Sequence, residues 1–555
     1  MDRRTFLHAL GRWSRAGTVA AGGAALGLTS GCGGEAAPAA AEGAAGAHTA
    51  PGGQDADAEA ATGATDAAAG SDAATRGANV HEVTLAVDPG AAGVPINPAL
   101  LGSNVQWCDG GDGLLRPDGS PQPAMQAAAG ALGPTVLRYP GGTQADAFHW
   151  DAPQNLHVFA DVMQPTLMDT RRLLELCEQW GATAMCQVNL VTGTPDEAAR
   201  WVRQANVDGL VSSRTGRRLP AVPRWELGNE PYLQNARRPD LDLTPAQFAS
   251  QVNAFIPALK AVDPTVRLGL PLTTDRRNGV WVTPYQGFTA GVLAAVDQPF
   301  DFACVHDAYM PYVTDGMSDP RTLYYGAMAG ALAVQDDLAA MRALLAAARP
   351  GRTIPLALTE WAPLFSMDGA PTDALLLSPA GALYAVDLLR MLATQPDIEC
   401  ANHWSLTGNW WFGAVSQSAT NRAVADAVAL ARPALAGSRL PASVRCDTLA
   451  TPALGQMAAR DAMPLLECLV SRSGATVRVL LVHKDLDRRA QVALDLGGVA
   501  PLAATLTALR SADPFADADT AGLMTRVTSH PAPGATMNFW LAPHSVAVLE
   551  LTMPG

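Results

Sequence analysis

Two glutamates that each end a short apolar run are the residues in this sequence best suited to chemistry. Glu230 follows the run 225–228 within Asn229-Glu230-Pro231, and Glu360 follows the run 354–359 and precedes Trp361. Two carboxylates about 5 Å apart can serve as a nucleophile and as a proton donor, as in cleavage of a glycosidic bond with retention. A lone glutamate would more simply be a solvated strand end. The interpretation therefore depends on whether the chain brings the two together.

The pattern of apolar runs predicts how the two glutamates meet. Eight such runs alternate with segments of helical periodicity, and we expect strands at 101–106, 136–139, 182–189, 225–228, 266–270, 302–306, 354–359 and 400–406. This alternation predicts an α/β fold, a (β/α)8 TIM barrel over 96–435. Since strand ends of a barrel open on one face, Glu230 after strand four and Glu360 at strand seven would share one mouth.

Helix start signals support the alternation. Thr194-Pro195-Asp196-Glu197 and Thr244-Pro245-Ala246-Gln247 each combine a capping hydroxyl, a proline at the first helical position and a reciprocal side chain three residues on. Ser378-Pro379 opens a further helix, with Leu383, Val386, Leu389 and Leu392 roughly on one face. These segments are predicted to be the helices between barrel strands.

The pattern of apolar and polar residues changes near the C-terminal end of the chain. Over 436–555, short alternating runs separated by turn residues predict a small antiparallel β-sandwich, with strands at 465–471, 476–482, 490–496, 504–509, 539–541 and 545–551. The segment 80–95 carries one more alternating strand and has no helix of its own. We expect it to join the sandwich, which would make that domain discontinuous.

The N-terminal part of the sequence is predicted to be an export signal and a linker rather than part of the folded domains. Residues 1–32 contain Arg3-Arg4 before a mildly apolar stretch, which is typical of a twin-arginine export signal. Thr29-Ser30-Gly31-Cys32 resembles a lipoprotein cleavage site, so Cys32 is a candidate for acylation; the alternative is a simple signal cleaved nearby. The Ala/Gly-rich segment 33–79 is predicted to be a disordered linker. We expect a periplasmic or cell-surface protein. If Cys32 is acylated, its lipid would attach the protein to a membrane.

Composition excludes several classes of function. The chain has 555 residues, 48% of them hydrophobic and 16% charged, with a net charge of −14. Such an acidic protein is not expected to bind nucleic acid. The spacing of Cys and His residues resembles no metal site, and neither a metal nor a cofactor is expected.

The two glutamate motifs resemble a known group of enzymes. Asn229-Glu230-Pro231 and Thr359-Glu360-Trp361 are similar to the corresponding motifs of clan A retaining glycoside hydrolases, in which the strand-four Glu is acid/base and the strand-seven Glu is nucleophile. Further stretches resemble the family 51 α-L-arabinofuranosidases, namely 137–142, 189–198, 513–517 and 541–546. The resemblance implies a barrel with a sandwich, Glu230 as acid/base and Glu360 as nucleophile.

The same resemblance implies supporting roles for five further residues. Arg138 would keep the nucleophile ionised, and Asn229 would bind the sugar 2-hydroxyl. His306 and Tyr309 resemble the family residues that position the two acids. Trp404 would form a floor for a sugar face, although core packing explains this tryptophan nearly as well.

Two departures concern the sugar. Thr143 stands where the arabinofuranosidases carry Asn, and the surrounding segment is more similar to family 79. Gln106 stands roughly where they carry a Glu that binds sugar hydroxyls. The resemblance thus implies the bond that is broken and leaves the sugar open.

The sequence is best explained by an exported retaining glycoside hydrolase, α-L-arabinofuranosidase-like, acting on oligo- or polysaccharides. One alternative keeps the chemistry but takes uronic acids or xylosides, and Arg237 or Arg238 near a substrate carboxylate would favour the former. A second alternative is a non-catalytic carbohydrate-binding or exopolysaccharide-associated protein. The presence of both glutamates counts against it.

Overall fold

The computed structural model describes residues 80–554 except 234–238, 275–286, 314–318, 367–376, 409–411, 456 and 517–521. The predicted signal peptide with Cys32, the predicted linker 33–79, and Arg237 and Arg238 lie outside the described residues.

The strands are numbered along the chain. They are β1 Val80–Val87, β2 Val94–Pro95, β3 Gly102–Asn104, β4 Val136–Tyr139, β5 Gln154–His157, β6 Val162–Pro165, β7 Thr183–Val188, β8 Arg224–Leu227, β9 Arg267–Pro271, β10 Phe302–Val305, β11 Tyr309–Val313, β12 Leu356–Ser366, β13 Ile398–His403, β14 Ser438–Leu440, β15 Ala442–Arg445, β16 Thr448–Thr451, β17 Arg460–Pro464, β18 Leu466–Ser473, β19 Thr476–His483, β20 Arg489–Asp495, β21 Ala503–Arg510, β22 Thr525–Ser529, β23 Thr536–Leu541 and β24 Ser545–Thr552.

The helices lie between the barrel strands and after the last of them. They are α1 Pro123–Ala131, α2 Thr170–Trp180, α3 Pro195–Val202, α4 Pro245–Val262, α5 Phe288–Ala295, α6 Pro320–Met328, α7 Gly330–Ala348, α8 Pro379–Leu392 and α9 Ala423–Ala431. Short 3-10 turns occur at Pro98–Leu101, Gly142–Ala147, Pro239–Leu241 and Arg432–Leu435, and the π-helical turn Arg203–Gly209 continues α3.

Eight parallel strands form the predicted barrel. In order around the barrel these are β3, β4, β7, β8, β9, β10, β12 and β13. The pairing of β10 with β12 and of β13 with β3 closes the sheet on itself. Every neighbouring pair runs parallel, so all the strands end on the same face. The TIM barrel prediction is confirmed.

Strand seven differs from its prediction in a way that concerns the site. The sequence suggests that Glu360 ends this strand, but β12 continues to Ser366 and pairs there with β11. The ladder from β12 to β13 shifts register between Leu358 and Trp361. Glu360 therefore lies at an irregularity within a long strand, because β11 supplies a partner beyond the barrel wall. Strand one, predicted at 101–106, is the shorter β3 at Gly102–Asn104, because Leu101 belongs to a 3-10 turn and the pairing ends at Asn104.

Of the two predicted capping boxes, one is complete in the structure and the other is only half formed. Thr244 and Gln247 form a complete capping box at the start of α4, as predicted. Thr194 caps α3 by accepting the backbone N–H of Glu197. The Glu197 carboxylate is instead 3.0 Å from His149 Nδ1. An imidazole outside the helix has replaced the second half of the box.

The C-terminal domain is the predicted sandwich, with one strand orientation that the sequence does not indicate. Its sheets have the order β15-β1-β20-β23 and β2-β14-β18-β19-β24-β21-β22. Strand β1 pairs antiparallel with β15 but parallel with β20, so the sandwich is not wholly antiparallel as predicted. Apolar side chains of the two sheets form one buried core, for example Val83 and Val492 from the first sheet and Val479 from the second.

A buried ionic cluster joins the barrel to the sandwich. Every residue of α8 is buried, because neighbouring helices and the sandwich strands β18, β19 and β24 pack around it. Lys484, which follows β19, lies 2.6 Å from Asp387 on α8, and both side chains are almost fully buried. Arg390 bonds the same Asp387 at 2.6 Å and lies 3.4 Å from Glu467 on β18.

None of the helices in the described part of the chain combines the length and the hydropathy needed to span a membrane.

Candidate active site

Arg138 is the centre of the site at the barrel mouth. It comes from β4 and its side chain is fully buried. Its Nε donates to Glu226 at 2.5 Å, and its Nη1 donates to Glu360 at 2.8 Å and to Asn104 at 2.7 Å. Its Nη2 donates to Asn229 at 2.9 Å. One planar guanidinium thus fixes two carboxylates and two amides from different strands.

Glu360 is held as an ionised carboxylate. Arg138 binds its Oε1, and the Tyr309 hydroxyl donates to its Oε2 at 2.6 Å. Burial alone would raise the pKa of Glu360, but His306, Arg138 and the Tyr309 hydrogen bond lower it and prevail. A buried carboxylate with a lowered pKa suits a nucleophile.

Glu230 lies opposite Glu360 and is more exposed. It follows β8 in a left-handed backbone conformation, with φ 35°. Its Oε1 lies 3.0 Å from His306 Nδ1, although the ring N–H is not aligned for a hydrogen bond. Oxygens of Glu230 and Glu360 and the His306 nitrogen all lie within 4.8 Å of one another. The structure therefore brings the two predicted carboxylates together.

His306 links the two acids. Its Nδ1 is 3.7 Å from Glu360 Oε2 as well as 3.0 Å from Glu230, and its Nε2 is 2.8 Å from the Thr359 hydroxyl. Burial lowers the pKa of His306, but Glu360 and Glu230 raise it, and the net shift is upward. A proton on this imidazole is thus stabilised by both acids.

Asn229 has one half of its amide group engaged and the other half available. Its Oδ1 accepts hydrogen bonds from Arg138 and from Gln187 Nε2 at 3.1 Å, which fixes the orientation of the amide. Its Nδ2 is buried and has no hydrogen-bond partner among the described residues. An unsatisfied buried donor beside Glu230 is suited to a substrate oxygen.

Thr143, Gln106 and Trp404 surround this centre. Thr143 lines a cleft of about 410 Å³ together with Asn229, Glu230 and other residues: Asp146, Leu190, Val191, Gly228, Pro231, Leu233, Leu241, Asp242, Leu243 and Phe248. The half-buried Trp404 follows β13 and lies against Gly142, where an added Cβ would be 2.7 Å from the indole. Trp361 is 2% exposed and packs on His403, which makes it a core residue.

Gln106 contacts a carboxylate instead of facing the described cleft. Its Nε2 lies 3.3 Å from both oxygens of Asp112. Burial raises the pKa of Asp112 to about 8. Gln106 also packs against Gly141, which follows the Arg138 strand. The amide is therefore next to the site but already partnered.

Sequence reasoning missed four polar residues of the site. All four are buried residues of barrel strands or of the segments next to them, namely Asn104, Gln187, Glu226 and Thr359. Glu226 is fully buried on β8, where it accepts from Arg138 and from the Thr359 hydroxyl at 2.8 Å. A charged residue inside an otherwise apolar strand was the available signal, because such a residue is rarely buried without a partner.

Two side-chain groups in the described part of the chain have the spacing of a metal site. In the group of Glu230, His306 and Glu360, the Arg138 guanidinium already neutralises Glu360. In the group of Cys108, Asp109 and His157, the His157 Nδ1 accepts the Ala160 N–H at 3.0 Å. Its proton is then on Nε2, the nitrogen that faces Asp109 at 3.6 Å. Neither donor set suits a cation.

Fold and site together define a TIM barrel with an appended β-sandwich and a close pair of glutamates at its mouth. Among solved structures, the chain is similar to an α-L-arabinofuranosidase from Thermotoga maritima, with a TM-score of 0.69, 19% identity, and coverage of 84% of this chain and 99% of that one. This likeness concerns the fold.

Curated relatives carry the same name. The chain is 28% identical over 149 residues to a probable α-L-arabinofuranosidase C of Aspergillus clavatus, which is 24% of this chain and 28% of that protein. It is also 28% identical over 150 residues to the α-L-arabinofuranosidase C of Emericella nidulans, which is 24% of this chain and 29% of that protein. The chain thus spans less than a third of the length of these relatives. No protein-family model matches the sequence.

Proposed function

We propose that this protein is a retaining glycoside hydrolase in which Glu360 is the nucleophile and Glu230 the acid/base. The observation that carries the proposal is the approach of Glu230 and Glu360 oxygens to within 4.8 Å, with Arg138 and Tyr309 on Glu360. Retaining enzymes have carboxyl groups about 5–5.5 Å apart, whereas inverting enzymes leave roughly 6.5–9.5 Å for a water molecule.

In the first step, a Glu360 oxygen forms a bond to the anomeric carbon while the bond from that carbon to the leaving oxygen breaks. Glu230 transfers its proton to the leaving oxygen. The negative charge of Glu360 is consumed in the glycosyl ester. The Asn229 Nδ2–H can donate to the adjacent sugar hydroxyl, an interaction that strengthens as positive charge develops on the ring.

In the second step, Glu230 is ionised and takes a proton from water. The water oxygen bonds to the anomeric carbon and the ester bond to Glu360 breaks. The sugar leaves with its original configuration, and both acids return to their initial protonation states. Arg138 and Tyr309 stabilise the Glu360 carboxylate that is released.

For the substrate, we propose α-L-arabinofuranosides in oligo- or polysaccharides. The names of the relatives and the family 51-like motifs support this choice. A panel of aryl glycosides, with the α-L-arabinofuranoside, β-xyloside and β-glucuronide, tests it by release of the phenol. Hydrolysis of the arabinofuranoside alone is expected. Preference for the glucuronide would replace the sugar but not the chemistry, and binding without hydrolysis across natural oligosaccharides would favour a carbohydrate-binding protein.

We also propose export by the twin-arginine route with attachment through an acylated Cys32. The motif Arg3-Arg4 and the small residues before Cys32 support this proposal. Replacing both arginines by lysine should leave the protein in the cytoplasm on fractionation. Cys32→Ala should move the exported protein from the detergent phase to the aqueous phase. Unchanged fractionation of either variant would refute the corresponding step.

A further inference from the structure

A line of short polar contacts runs beneath the two glutamates, with hydrogen bonds from Arg138 as far as His306 Nε2 and a close approach of His306 Nδ1 to Glu230 at its end. Glu226 on β8 offers its Oε2 to Arg138 and its Oε1 to the Thr359 hydroxyl, at 2.5 and 2.8 Å. The Thr359 oxygen is 2.8 Å from His306 Nε2. His306 Nδ1, on the other side of the ring, is 3.0 Å from Glu230 Oε1.

The directions of these hydrogen bonds follow from counting protons. Glu226 is paired with the fully buried Arg138 guanidinium, so it is an ionised carboxylate and only accepts. The Thr359 hydroxyl has one proton, which it donates to Glu226. Only lone pairs of Thr359 then remain for His306, so the proton on this side of the imidazole must be on Nε2. The nitrogen left to gain or lose a proton is Nδ1, which faces Glu230.

The excess of negative charge around His306 favours a proton on Nδ1. Carboxylates approach the ring from two strands, namely Glu226 and Glu230 from β8 and the loop after it, and Glu360 from β12. Arg138 from β4 bonds both Glu226 and Glu360, and the Tyr309 hydroxyl from β11 bonds Glu360. The described charged groups at the ring are thus three acids and one permanent cation. Three carboxylates and one guanidinium give a net charge of −2 while the imidazole carries only its Nε2 proton, and one further proton shared by Glu230 and Nδ1 reduces this to −1.

We propose that Glu226 and Thr359 are positioning residues that fix the tautomer of His306 and so let Nδ1 share the catalytic proton of Glu230. The inference rests on the proposed function and adds residues to it. In the first step the shared proton goes to the leaving oxygen. In the second step a proton from water takes its place between Glu230 Oε1 and Nδ1, and the other imidazole proton stays on Nε2 throughout, donated to the Thr359 oxygen.

The sharpest variant pair is at Thr359, because Glu226→Gln would leave Arg138 with one carboxylate fewer and could impair folding. Thr359→Val removes the hydroxyl and retains the shape of the side chain, whereas Thr359→Ser retains the hydroxyl. In Thr359→Val, we expect kcat/KM for substrates with poor leaving groups to fall at least tenfold. Dinitrophenyl glycosides, whose leaving group needs no proton, should change little.

The alkaline limb of the pH profile should move in a defined direction. Glu226, acting through Thr359, stabilises the protonated imidazole, so losing the hydroxyl makes the shared proton easier to remove. The limb should shift to lower pH by about one unit in Thr359→Val. Thr359→Ser should restore the parent profile. A parent-like profile and leaving-group dependence in Thr359→Val, or an equal loss in Thr359→Ser, would overturn the proposal.

A readout without substrate separates this inference from the proposed function. Nitrogen-15 NMR of labelled histidine, assigned with His306→Gln, should show Nε2 protonated in the parent and in Thr359→Ser. In Thr359→Val the tautomer preference should be lost. A parent that carries its proton on Nδ1 alone would refute the relay even if the protein is a glycosidase. The predicted NMR pattern in a protein that hydrolyses no glycoside would refute the proposed function and leave the hydrogen-bond geometry intact.

Discussion

Asn229 combines two tasks in one amide group. The oxygen is committed to Arg138 and Gln187, while Nδ2 is left without a hydrogen-bond partner among the described residues, in a side chain that lines the same cleft as Glu230. A buried donor without a partner costs free energy in the unliganded protein. That cost is offset when a substrate oxygen occupies the position.

Replacing Asn229 by alanine should therefore weaken catalysis in a substrate-dependent way. One hydrogen bond lost in the transition state predicts a decrease of about 10–100-fold in kcat/KM. The control is a substrate that lacks the 2-hydroxyl, for which the variant and the parent should differ much less. Equal losses on both substrates would mean that Asn229 acts only by holding Arg138.

The site residues found from sequence are those that belong to motifs. Glu230 and Arg138 stand at or near the ends of barrel strands, and Glu360 lies at the register shift within β12. Glu226 was missed because it is one residue of an otherwise apolar run, and Thr359 was named only as part of the Glu360 motif, without a role of its own. Whether a strand residue points into the barrel depends on the phase of the strand, which the sequence alone leaves open.

At the scale of elements, the turn between β3 and α1 is unusual because five consecutive residues are left-handed. Asp109, Gly110, Gly111, Asp112 and Gly113 all have positive φ, between 49° and 88°. The turn delivers Asp112 to the Gln106 amide beside the site. Left-handed conformations cost roughly 1–2 kcal/mol for each residue with a Cβ, so such a turn points to a functional constraint.

Gly110→Ala should destabilise the protein more than a matched glycine substitution elsewhere. Gly110 has φ 64°, and a Cβ there would be 2.5 Å from the Leu115 carbonyl oxygen. Gly216 has φ 68° and open space around it, so Gly216→Ala measures only the free-energy cost of placing a residue with a Cβ in a left-handed conformation. Both should lose about 1–2 kcal/mol in the free energy of unfolding, and Gly110→Ala a further 1–3 kcal/mol. Equal losses in denaturant titrations would contradict the steric account.

The barrel strands were predictable because buried parallel strands have continuous apolar runs bounded by helix caps. The left-handed turn was not, since its conformation depends on packing against Leu115 and Met168 as well as on its glycines. The extension of β12 was missed for a similar reason. Its partner β11 lies about fifty residues earlier in the sequence, and strand pairing over such distances leaves no local pattern.

For the whole molecule, the interface between barrel and sandwich depends on Asp387. Burial raises the pKa of Asp387, but Arg390 and Lys484 lower it and prevail. Its folded-state pKa is thus below the unfolded value. The stabilisation is present at pH above the ordinary aspartate pKa of about 4 and is lost as pH falls through the lowered pKa.

Asp387→Asn should therefore be strongly destabilising at neutral pH. Removing one partner of a buried ion pair costs about 3–5 kcal/mol, because Lys484 would stay buried without a carboxylate. The control is Asp487→Asn, which breaks the exposed pair with Arg321 between the same domains and should cost at most about 1 kcal/mol. Unfolding free energies measured from pH 7 downward should begin to converge for parent and Asp387→Asn below about pH 4 and meet only below the lowered pKa of Asp387. Equal costs for the two variants would contradict a role for burial.

The contact between the domains explains where sequence interpretation stopped at this scale. Helix α8 was expected to bury roughly one face, but neighbouring helices and the sandwich pack around it and all of its residues are buried. The parallel pairing of β1 with β20 joins segments about four hundred residues apart. Each domain was predictable from its own sequence pattern. How the two pack together depends on the shapes of the surfaces that meet, which a sequence pattern does not contain.

The covalent intermediate tests the account most directly. Glu230→Ala, incubated with a dinitrophenyl α-L-arabinofuranoside, should form the glycosyl-enzyme rapidly and hydrolyse it slowly, because the base for the second step is missing. Peptide mass spectrometry should then find one anhydropentose unit on Glu360. A label on another residue, or an unlabelled enzyme that still turns over with inversion by NMR, would contradict the assignment of Glu360 as the nucleophile.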